Sequence, residues 1–387
     1  MSSPVRFSGR FNDLGLNDLG IADIRLAGAA AATRSRAAVR AVTTPWFEVR
    51  QQDLPLWNDL LLSTDASLYQ FPCWNNPQRA LGLTPRYVAW GPLHQPSAYA
   101  CILTAGFGPA KIGLVFRGPT SMQPGVGLSQ TVIASLLEWA RGEGYLFLRF
   151  THSDPKVLAQ LAAAGHAEPI DAFPYFLDYP ILSPDYIVEQ KDSAEETLAG
   201  FDREVRRKIR RATEQGYEFR VEDSADALAQ AWPLYQECAR RKHFRLERPL
   251  SVYMETIRQA QAHNCARVYS ALHDGKVVGS AVVLRDRTTA HCWLAAFEAE
   301  HRQSAVFLHW NAMRDMQRQG ASRYNLGPGP GSLARFKQQF TKAPVSYPGP
   351  LTVVLKPTAF RLWQKWIFPA AKRLRPALIS LMASVVR

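Results

Sequence analysis

The sequence lacks the residue patterns that mark several common protein classes. Its five cysteines are dispersed without a CxxC pair, and its nine histidines show no HExxH or HxH spacing. These absences argue against a disulfide framework and against a zinc site, so we expect no metal. There is also no GxSxG motif, which excludes the usual serine hydrolase arrangement.

Long apolar runs are absent as well. No run reaches the roughly 18–20 residues that span a bilayer, and the first residues lack the apolar core of a secretory signal. We therefore expect a cytoplasmic protein that is peripheral on the inner face of the cytoplasmic membrane.

Acidic residues are missing from the C-terminal part of the chain. Residues 316–387 contain twelve Lys or Arg and no Asp or Glu, in a chain of net charge +13. Such a one-sided bias favours a polyanionic partner: tRNA, another nucleic acid or anionic lipid. Because residues 356–387 mix aromatic and basic side chains, we predict a basic amphipathic tail on an anionic membrane surface. A helix packed across the two domains is the alternative.

The length of 387 residues predicts two domains. Residues 1–43 are rich in Ala, Arg and Gly and are interpreted as a flexible leader. A first domain is expected at 44–180 and a second at 190–355, joined by a proline-rich connector at 168–192. In each half, antiparallel strands lie between flanking helices, which predicts an α+β fold with mixed sheets. The predicted elements include helices at 54–62 and 304–319, strands at 266–273, 277–285 and 290–297, and a hairpin turn at Asp274-Gly275.

An arginine-rich segment, Phe201–Ala212, has helical periodicity. Arg203, Arg206, Arg207, Arg210 and Arg211 share one face, opposite an apolar face of Val205, Ile209 and Ala212. Guanidinium groups suit phosphate well. Nearby acidic residues are too few to neutralise this face, so we predict that Arg206, Arg207 and Arg210 bind an anionic substrate; a merely solvated face is the alternative.

A glycine-rich loop near the C-terminus precedes a lysine among aromatic residues. Tyr324-Asn325-Leu326-Gly327 ends a predicted strand, a Pro/Gly turn follows, and Phe336-Lys337-Gln338-Gln339-Phe340 comes next. Glycine permits close backbone approach to a ligand. A lysine here can stabilise a developing oxyanion. A tight turn with a solvated lysine is the alternative.

A second glycine-containing loop lies in the first half, at Gln123-Pro124-Gly125-Val126-Gly127. It precedes a predicted helix from residue 128, as a phosphate-binding loop would. Gly125 and Gly127 are therefore candidates for binding the pyrophosphate of a CoA cofactor. A simple helix entry is the alternative.

Taken together, these motifs resemble those of the FemAB family, which consists of two tandem acetyltransferase-like (GNAT) domains. The resemblance is best over residues 195–341, and its motifs are listed here in chain order: Tyr69–Trp74, Phe116-Arg117-Gly118-Pro119, Arg206–Ala212, Asp274–Gly279, Leu308–Gly320, Tyr324–Gly327 and Phe336–Phe340.

The resemblance implies acyl transfer to an amine. Family members take an amino acid from aminoacyl-tRNA and add it to a peptidoglycan precursor, and relatives serve exopolysaccharide or lipid pathways. It implies that Lys337 stabilises charge at the reacting ester and that Phe336 forms part of the pocket wall. Arg335, next to Phe336, is a further substrate-binding candidate. Asn325 is the second catalytic candidate. Backbone groups around Trp293 to Phe297, with Trp293 as a substrate-binding candidate, are expected to line the cleft.

Two departures from the family pattern affect these expectations. The family has Asp where this chain has Asn325, and an amide cannot accept a proton as a base. A lysine that meets phosphate in muramyl-nucleotide users is replaced by Gln78. The proton acceptor is not identified; Glu298 is a candidate, with a surface carboxylate as its alternative.

Three functions remain open from sequence. The first is aminoacyl transfer from tRNA to an amine of a cell-envelope precursor, soluble or lipid-linked. The second is an acyl-CoA-dependent N-acyltransferase. The third is an inactive transferase fold that binds RNA or membrane. Either donor would be a co-substrate, and no bound cofactor is expected.

Overall fold

The computed structural model describes residues 46–92, 95–107, 110–168, 184–222, 224–244, 246, 248–329, 331–367 and 369. The predicted leader at 1–43 and the tail from residue 370 onward lie outside these residues.

The first half is built on an eight-stranded mixed sheet with the order β1-β2-β3-β4-β6-β14-β7, in which β5 pairs with β3. Its strands are β1 Trp46–Glu48, β2 Thr84–Trp90, β3 Ala98–Phe107, β4 Ala110–Phe116, β5 Thr120–Ser121, β6 Tyr145–Thr151, β7 His166–Glu168 and β14 Leu351–Val354. The β4 and β6 strands are parallel, and the other pairs are antiparallel.

The second half is built on a six-stranded mixed sheet with the order β8-β13-β12-β11-β10-β9. Its strands are β8 Asp185–Glu189, β9 Glu218–Glu222, β10 Ala266–His273, β11 Lys276–Arg285, β12 Thr289–Phe297 and β13 Arg323–Pro328. The β10–β11 hairpin turns at Asp274 and Gly275, both with positive φ, which is the conformation that an Asp-Gly turn favours.

Helices cover both faces of each sheet. They are α1 Leu54–Leu62, α2 Pro72–Asn75, α3 Gln130–Gly142, α4 Pro155–Ala164, α5 Ala194–Ala199, α6 Arg203–Glu214, α7 Asp226–Arg241, α8 Leu250–Gln261, α9 Ser304–Arg318, α10 Gly331–Gln338 and α11 Pro357–Leu362. The α3 and α4 helices pack on one face of the first sheet. In the second sheet, α6 and α9 cover one face, and α7 and α8 cover the other.

One apolar core belongs to both halves. It contains α1 and α2 of the first half, and Ala260, Cys265, Ala266 and Leu284 of the second half are buried in it. Burial of apolar surface is the main stabilising term in folding, so this core holds the two sheets together.

The helix and strand predictions are largely confirmed. The predicted helix at 54–62 and the predicted strand at 266–273 match their elements, and the helix predicted at 304–319 is α9. Mixed sheets with flanking helices, as predicted, make up both halves.

Two short strands were not expected where they lie. The β8 strand falls inside the predicted connector at 168–192 and forms the edge of the second sheet beside β13. The β14 strand, predicted with the second domain, inserts between β6 and β7 of the first sheet. Sequence periodicity could not place either strand, because four or five residues carry too little pattern.

The predicted tail is structural in its first part. Phe360 and Trp363 are buried in the shared core, where both rings pack edge-on against Phe147 at centroid distances of 5.5 and 5.1 Å. Leu362 and Trp366 are exposed. The packed-helix alternative therefore holds for one face of this segment. Among the described helices, none has the length and apolarity to cross a membrane.

Candidate active site in the cleft between the two sheets

The site begins where two parallel strands separate. The β12 and β13 strands pair only between Thr289–His291 and Arg323–Asn325, although β12 continues to Phe297 and β13 to Pro328. Next to this point, the β11–β12 register shifts so that Val283 pairs with Cys292 and Val282 with Leu294, which leaves Trp293 as a bulge. The two strands thus open a gap in the second sheet, and bulges often redirect side chains at such sites.

A cleft lies at this gap. The second half contributes Asn325, Gly327, Pro328 and the β12 residues His291, Cys292 and Trp293; the first half contributes, among others, Tyr69, Trp74, Leu103 and Phe116. The cleft is therefore lined by both halves of the chain. Mostly apolar walls with a few convergent polar groups are typical of ligand sites.

Asn325 lies at the base of the gap and is held on both sides of its amide. Its Nδ2 donates to Asp185 Oδ2 at 2.8 Å, and its Oδ1 accepts a hydrogen bond from the Gly327 N–H at 2.7 Å. These two partners fix the orientation of the amide, since only Nδ2 can donate and only Oδ1 can accept. Nδ2 also lies 3.5 Å from His291 Nδ1.

His291 is paired with a buried carboxylate. Its Nε2 lies 3.1 Å from Asp286 Oδ2. Burial alone would raise the pKa of Asp286, but the hydrogen bonds from His291 and from the Thr289 and Thr288 N–H groups bring it below its ordinary value. Asp286 is therefore ionised at neutral pH, and the pair presents one imidazole to the cleft.

Lys337 binds the glycine loop from behind. Its buried ammonium donates to the carbonyls of Gly327 at 3.0 Å and Pro328 at 2.7 Å. Burial lowers the pKa of Lys337 to about 8, against the opposing influence of Cys292 and Asp185. Gly327 has φ of +75°, a conformation for which glycine is suited. Lys337 thus sets the shape and charge of the loop that lines the cleft.

An arginine and two indoles meet at the other side of the cleft. The Arg248 guanidinium carbon lies 5.0 Å from the Trp74 ring centroid and 5.6 Å from that of Trp293. The two indoles contact each other edge-on at 5.0 Å. Cation–π contacts contribute about 0.5–2 kcal/mol each. They hold a positive charge at the cleft wall, between the two halves.

The structure brings together only some of the site residues expected from sequence. Trp293 and Asn325 line the cleft, and Lys337 reaches it through Gly327 and Pro328. Phe336 instead packs beside Phe340 and His309 in the core under α6, and Arg335 is exposed. Neither is among the cleft-lining residues.

The arginine helix lies elsewhere on the second half. Val205, Ile209 and Ala212 of α6 are buried, as predicted, and Arg206, Arg207 and Arg210 are exposed. Arg207 forms an ion pair of 2.6 Å with Glu204. Within the described residues, no carboxylate pairs with Arg206 or Arg210. The face is thus only partly neutralised, and it stands apart from the cleft-lining residues.

The predicted phosphate loop of the first half faces a carboxylate. Gly125 and Gly127 line a second cavity, together with Asp65. The Gly125 N–H donates to Asp65 Oδ2 at 2.7 Å, and the other oxygen of Asp65 pairs with Arg287 at 2.7 Å. Because a carboxylate repels phosphate, this arrangement disfavours pyrophosphate at Gly125.

Glu298 does not lie in the cleft lining. Its carboxylate pairs with Lys276 at 2.8 Å at the end of the β11–β12 pair. Glu298 thus fits the alternative of a surface carboxylate, and the proton acceptor has to be sought among other residues.

Sequence reasoning missed the His291–Asp286 pair, Asp185 and Arg248. Histidine spacing is informative about metal sites, whereas a His–Asp pair five residues apart across a tight turn has no sequence motif of its own. The available signal was the position of both residues at the turn between two predicted strands.

Comparison with known proteins agrees with this architecture. The family model described as "Acetyltransferase (GNAT) domain" matches residues 199–338. The second half of the chain is thus GNAT-like in sequence as well as in fold. No curated protein matches the chain significantly in sequence.

Two solved structures resemble almost the whole described chain. The crystal structure of FemX superposes with a TM-score of 0.69 at 15% identity, covering 82% of this chain and 99% of FemX. A conserved protein of unknown function from Bacteroides thetaiotaomicron superposes with a TM-score of 0.55 at 13% identity, covering 81% and 100%. At such identities the likeness establishes the fold. The predicted FemAB-like fold of two tandem GNAT-like domains is confirmed. The match of residues 199–338 to the acetyltransferase model supports the coarser prediction of an acyltransferase.

Proposed function

We propose that this GNAT-fold protein is an N-acyltransferase that moves an aminoacyl group from aminoacyl-tRNA to an amine of a cell-envelope precursor. The observation that carries this proposal is the cleft at the β12–β13 gap, which both halves line. A site built from two halves can hold a donor and an acceptor side by side, which converts a bimolecular step into an effectively intramolecular one.

The glycine loop is suited to the reacting ester. Asn325 and Lys337 fix the Gly327–Pro328 segment from opposite sides, at 2.7 Å from Asn325 Oδ1 to the Gly327 N–H and at 2.7 Å from Lys337 to the Pro328 carbonyl. With its pKa at about 8, Lys337 is mainly protonated at neutral pH. Its charge, in a site of low exposure, stabilises the oxyanion of a tetrahedral intermediate.

Arg248 is suited to an anionic group of either substrate. Its guanidinium is held between Trp74 and Trp293 at the cleft wall. A planar guanidinium binds carboxylate or phosphate in a defined geometry. An acceptor with such a group next to its amine would be oriented across the gap.

The arginine face of α6 is suited to the backbone of a tRNA. Arg206 and Arg210 are exposed, without a carboxylate partner in the part of the chain that the structure describes. A polyanion longer than the cleft can contact α6 while its acyl end reaches the gap. A donor that contacts both α6 and the gap has to be long, which favours tRNA over a small donor.

The exposed face of the C-terminal segment is suited to an anionic membrane surface. Leu362 and Trp366 are 58% and 66% exposed, and Arg361 and Lys365 are exposed beside them. Apolar and basic side chains on one face favour binding in the interface of an anionic leaflet. This would bring a lipid-linked acceptor close to the protein on the inner face of the cytoplasmic membrane.

Acyl-CoA is the second candidate donor, and the GNAT domain match over residues 199–338 favours it. Two features oppose it. The residue before α9 is Gln303 in a segment without glycine, and the Gly125 N–H is occupied by Asp65.

A transfer assay with purified full-length protein tests the proposal. Total tRNA charged with radiolabelled amino acids and radiolabelled acetyl-CoA are offered in parallel, each with a soluble-precursor extract and a lipid extract of bacterial cells. Label that becomes stable to mild base reports conversion of an ester into an amide. Transfer from tRNA supports the proposal, and transfer from acetyl-CoA alone supports the second candidate. If neither label is transferred, the remaining hypothesis is an inactive transferase fold that binds RNA or membrane.

A further inference from the structure

The Asp286–His291 pair, at the turn between β11 and β12, is held in place by several hydrogen bonds. Asp286 is only 7% exposed. Its Oδ1 accepts from the Thr289 N–H at 2.8 Å and the Thr288 N–H at 3.1 Å. Its Oδ2 accepts from the Leu68 N–H of the first half at 3.4 Å and faces His291 Nε2 at 3.1 Å. The carboxylate is thus fixed by both halves before it meets the imidazole.

The neighbours of His291 select one tautomer. Asp286 is an acceptor, so Nε2 carries the proton and donates it. On the other side, Asn325 offers only its Nδ2 donor, because its Oδ1 already accepts from the Gly327 N–H. Nδ1 is therefore the unprotonated nitrogen. At 3.5 Å the contact from Asn325 is at the limit of a hydrogen bond, so the lone pair of Nδ1 is available to a stronger donor.

The other polar groups near the cleft are less suited than His291 to accept a proton. Asn325 is an amide and has no basic form, and Glu298 is paired with Lys276 outside the cleft lining. Asp185 accepts from Asn325 at 2.8 Å. Among the residues that line the cleft, His291 alone combines a basic nitrogen with a carboxylate that orients it.

We propose that His291 is the general base that takes the proton from the acceptor amine, and that Asp286 is the residue that positions it. This inference rests on the proposed function and deepens it. It assigns proton transfer to a residue pair that the sequence motifs do not contain.

The proton is conserved through the reaction. As the amine nitrogen attacks the acyl carbon, a C–N bond forms and His291 Nδ1 accepts a proton from that nitrogen, which yields an imidazolium beside the Asp286 carboxylate. The tetrahedral intermediate then collapses, the C–O bond to the donor breaks, and the imidazolium returns the proton to the leaving oxygen. The products are an amide and an alcohol, and His291 is neutral again.

Several charged or titratable groups face this pair and contribute to its pH dependence. They are Asp286 on the β11–β12 turn, Asp185 on β8, Arg248 before α8, Tyr69 of the first half, Cys292 in the cleft lining, and Lys337 behind the Gly327 carbonyl. The carboxylates stabilise the imidazolium and the two cations oppose it.

The test compares the pH dependence of kcat/KM in His291→Gln and in the parent. Glutamine can still donate to Asp286 but cannot accept and return a proton. We expect kcat to fall by about 10²–10⁴-fold, with loss of the acidic limb of the profile and little change in melting temperature. His166→Gln is the matched control, because His166 also pairs with a carboxylate, Glu168, at 2.8 Å, but on an exposed strand. It should behave as the parent.

A second measurement does not depend on activity. Nitrogen-15 NMR of the resonance that disappears in His291→Gln should show protonation at Nε2 and a bare Nδ1 in the resting protein; the opposite tautomer would overturn the inference. Asp286→Asn should shift this resonance and reduce kcat more than it raises KM.

The outcomes separate the two proposals. If the parent transfers acyl groups and His291→Gln keeps the parental rate and profile, the general base is wrong while the proposed function stands. If the parent transfers nothing from any donor, the proposed function fails, and the inference fails with it whatever the tautomer.

Discussion

The amide of Asn325 donates a 2.8 Å hydrogen bond to the carboxylate of Asp185, across the β8–β13 pair. This contact gives the departure from the family pattern at residue 325 a physical reason. An aspartate at 325 would place a second carboxylate against Asp185, whereas the amide links the edge strand to the cleft.

Asn325→Asp should therefore destabilise the protein in a pH-dependent way. Two adjacent carboxylates share a proton more readily than either binds one alone. The folded variant then binds more protons than the unfolded chain, so its stability falls as pH rises. We expect a deficit of about 1–3 kcal/mol at pH 7 that shrinks toward pH 5, measured by urea unfolding. The double variant Asp185→Asn/Asn325→Asp exchanges the two groups and should recover most of the loss; a loss that persists at every pH would contradict this explanation.

Lys337→Ala should impair transfer much more than folding. Loss of an oxyanion-stabilising donor costs about 2.7–4 kcal/mol, which corresponds to a roughly 10²–10³-fold lower kcat/KM. Lys342→Ala, in an exposed lysine five residues further on, is the control and should keep parental kinetics. Equal kinetics in both variants would show that Lys337 does not stabilise the transition state and only holds the glycine loop in place.

The lowered pKa of Lys337 should also make the stability of the protein depend on pH. Because burial lowers its pKa from 10.5 to about 8, the folded protein releases this proton at a lower pH than the unfolded chain does. Between these values the unfolded chain binds more protons, so stability rises with pH. Relative to Lys337→Met, the parent should gain up to about 3 kcal/mol between pH 7 and pH 10.5, measured by chemical unfolding. A constant difference across that interval would show that the ammonium is not buried in solution.

Alanine variants of Trp363 and Trp366 should distinguish the packing role of the C-terminal segment from its role in membrane binding. Trp363 is 3% exposed and packs on Phe147, so Trp363→Ala should cost about 3–5 kcal/mol of stability. Trp366 is 66% exposed, so Trp366→Ala should leave stability unchanged and weaken co-sedimentation with phosphatidylglycerol vesicles at low salt. If Trp366→Ala sediments like the parent, this surface does not bind lipid.

The exposed arginines of α6 should determine the salt dependence of tRNA binding. Replacing both Arg206 and Arg210 with Gln should weaken binding and reduce the slope of log affinity against log salt by roughly 1–2, because fewer counterions are released. Arg240→Gln is a suitable control, since this exposed arginine is already paired with Glu237 at 2.8 Å. An unchanged slope in the double variant would indicate that the face is only solvated.

Sequence predicted the long elements well because their periodicity is strong. The helix at 54–62 and the hairpin around Asp274-Gly275 needed no tertiary information. The β8 and β14 strands could not be predicted, since their pairing partners lie more than 100 residues away in the chain.

The site was predictable only in part. Asn325 was placed near the chemistry by a family motif, and Trp293 by the expectation that the backbone around it lines the cleft; both do line it. Phe336 was placed there by the resemblance and Arg335 because it is next to Phe336, but helical geometry turns both side chains away from Lys337. His291, Asp286 and Arg248 become neighbours only through the strand separation and the contact between halves.

The position of β14 has a consequence for synthesis on the ribosome. Residues 351–354 hydrogen-bond to both β6 and β7, so the first sheet has a gap until residue 354 has been synthesised. Domains generally fold as units from the N-terminus during synthesis, but here the N-terminal unit waits for the C-terminal one. A nascent chain halted near residue 340 should present the unpaired edge of β6 to chaperones, and the two halves should mature in a single late step.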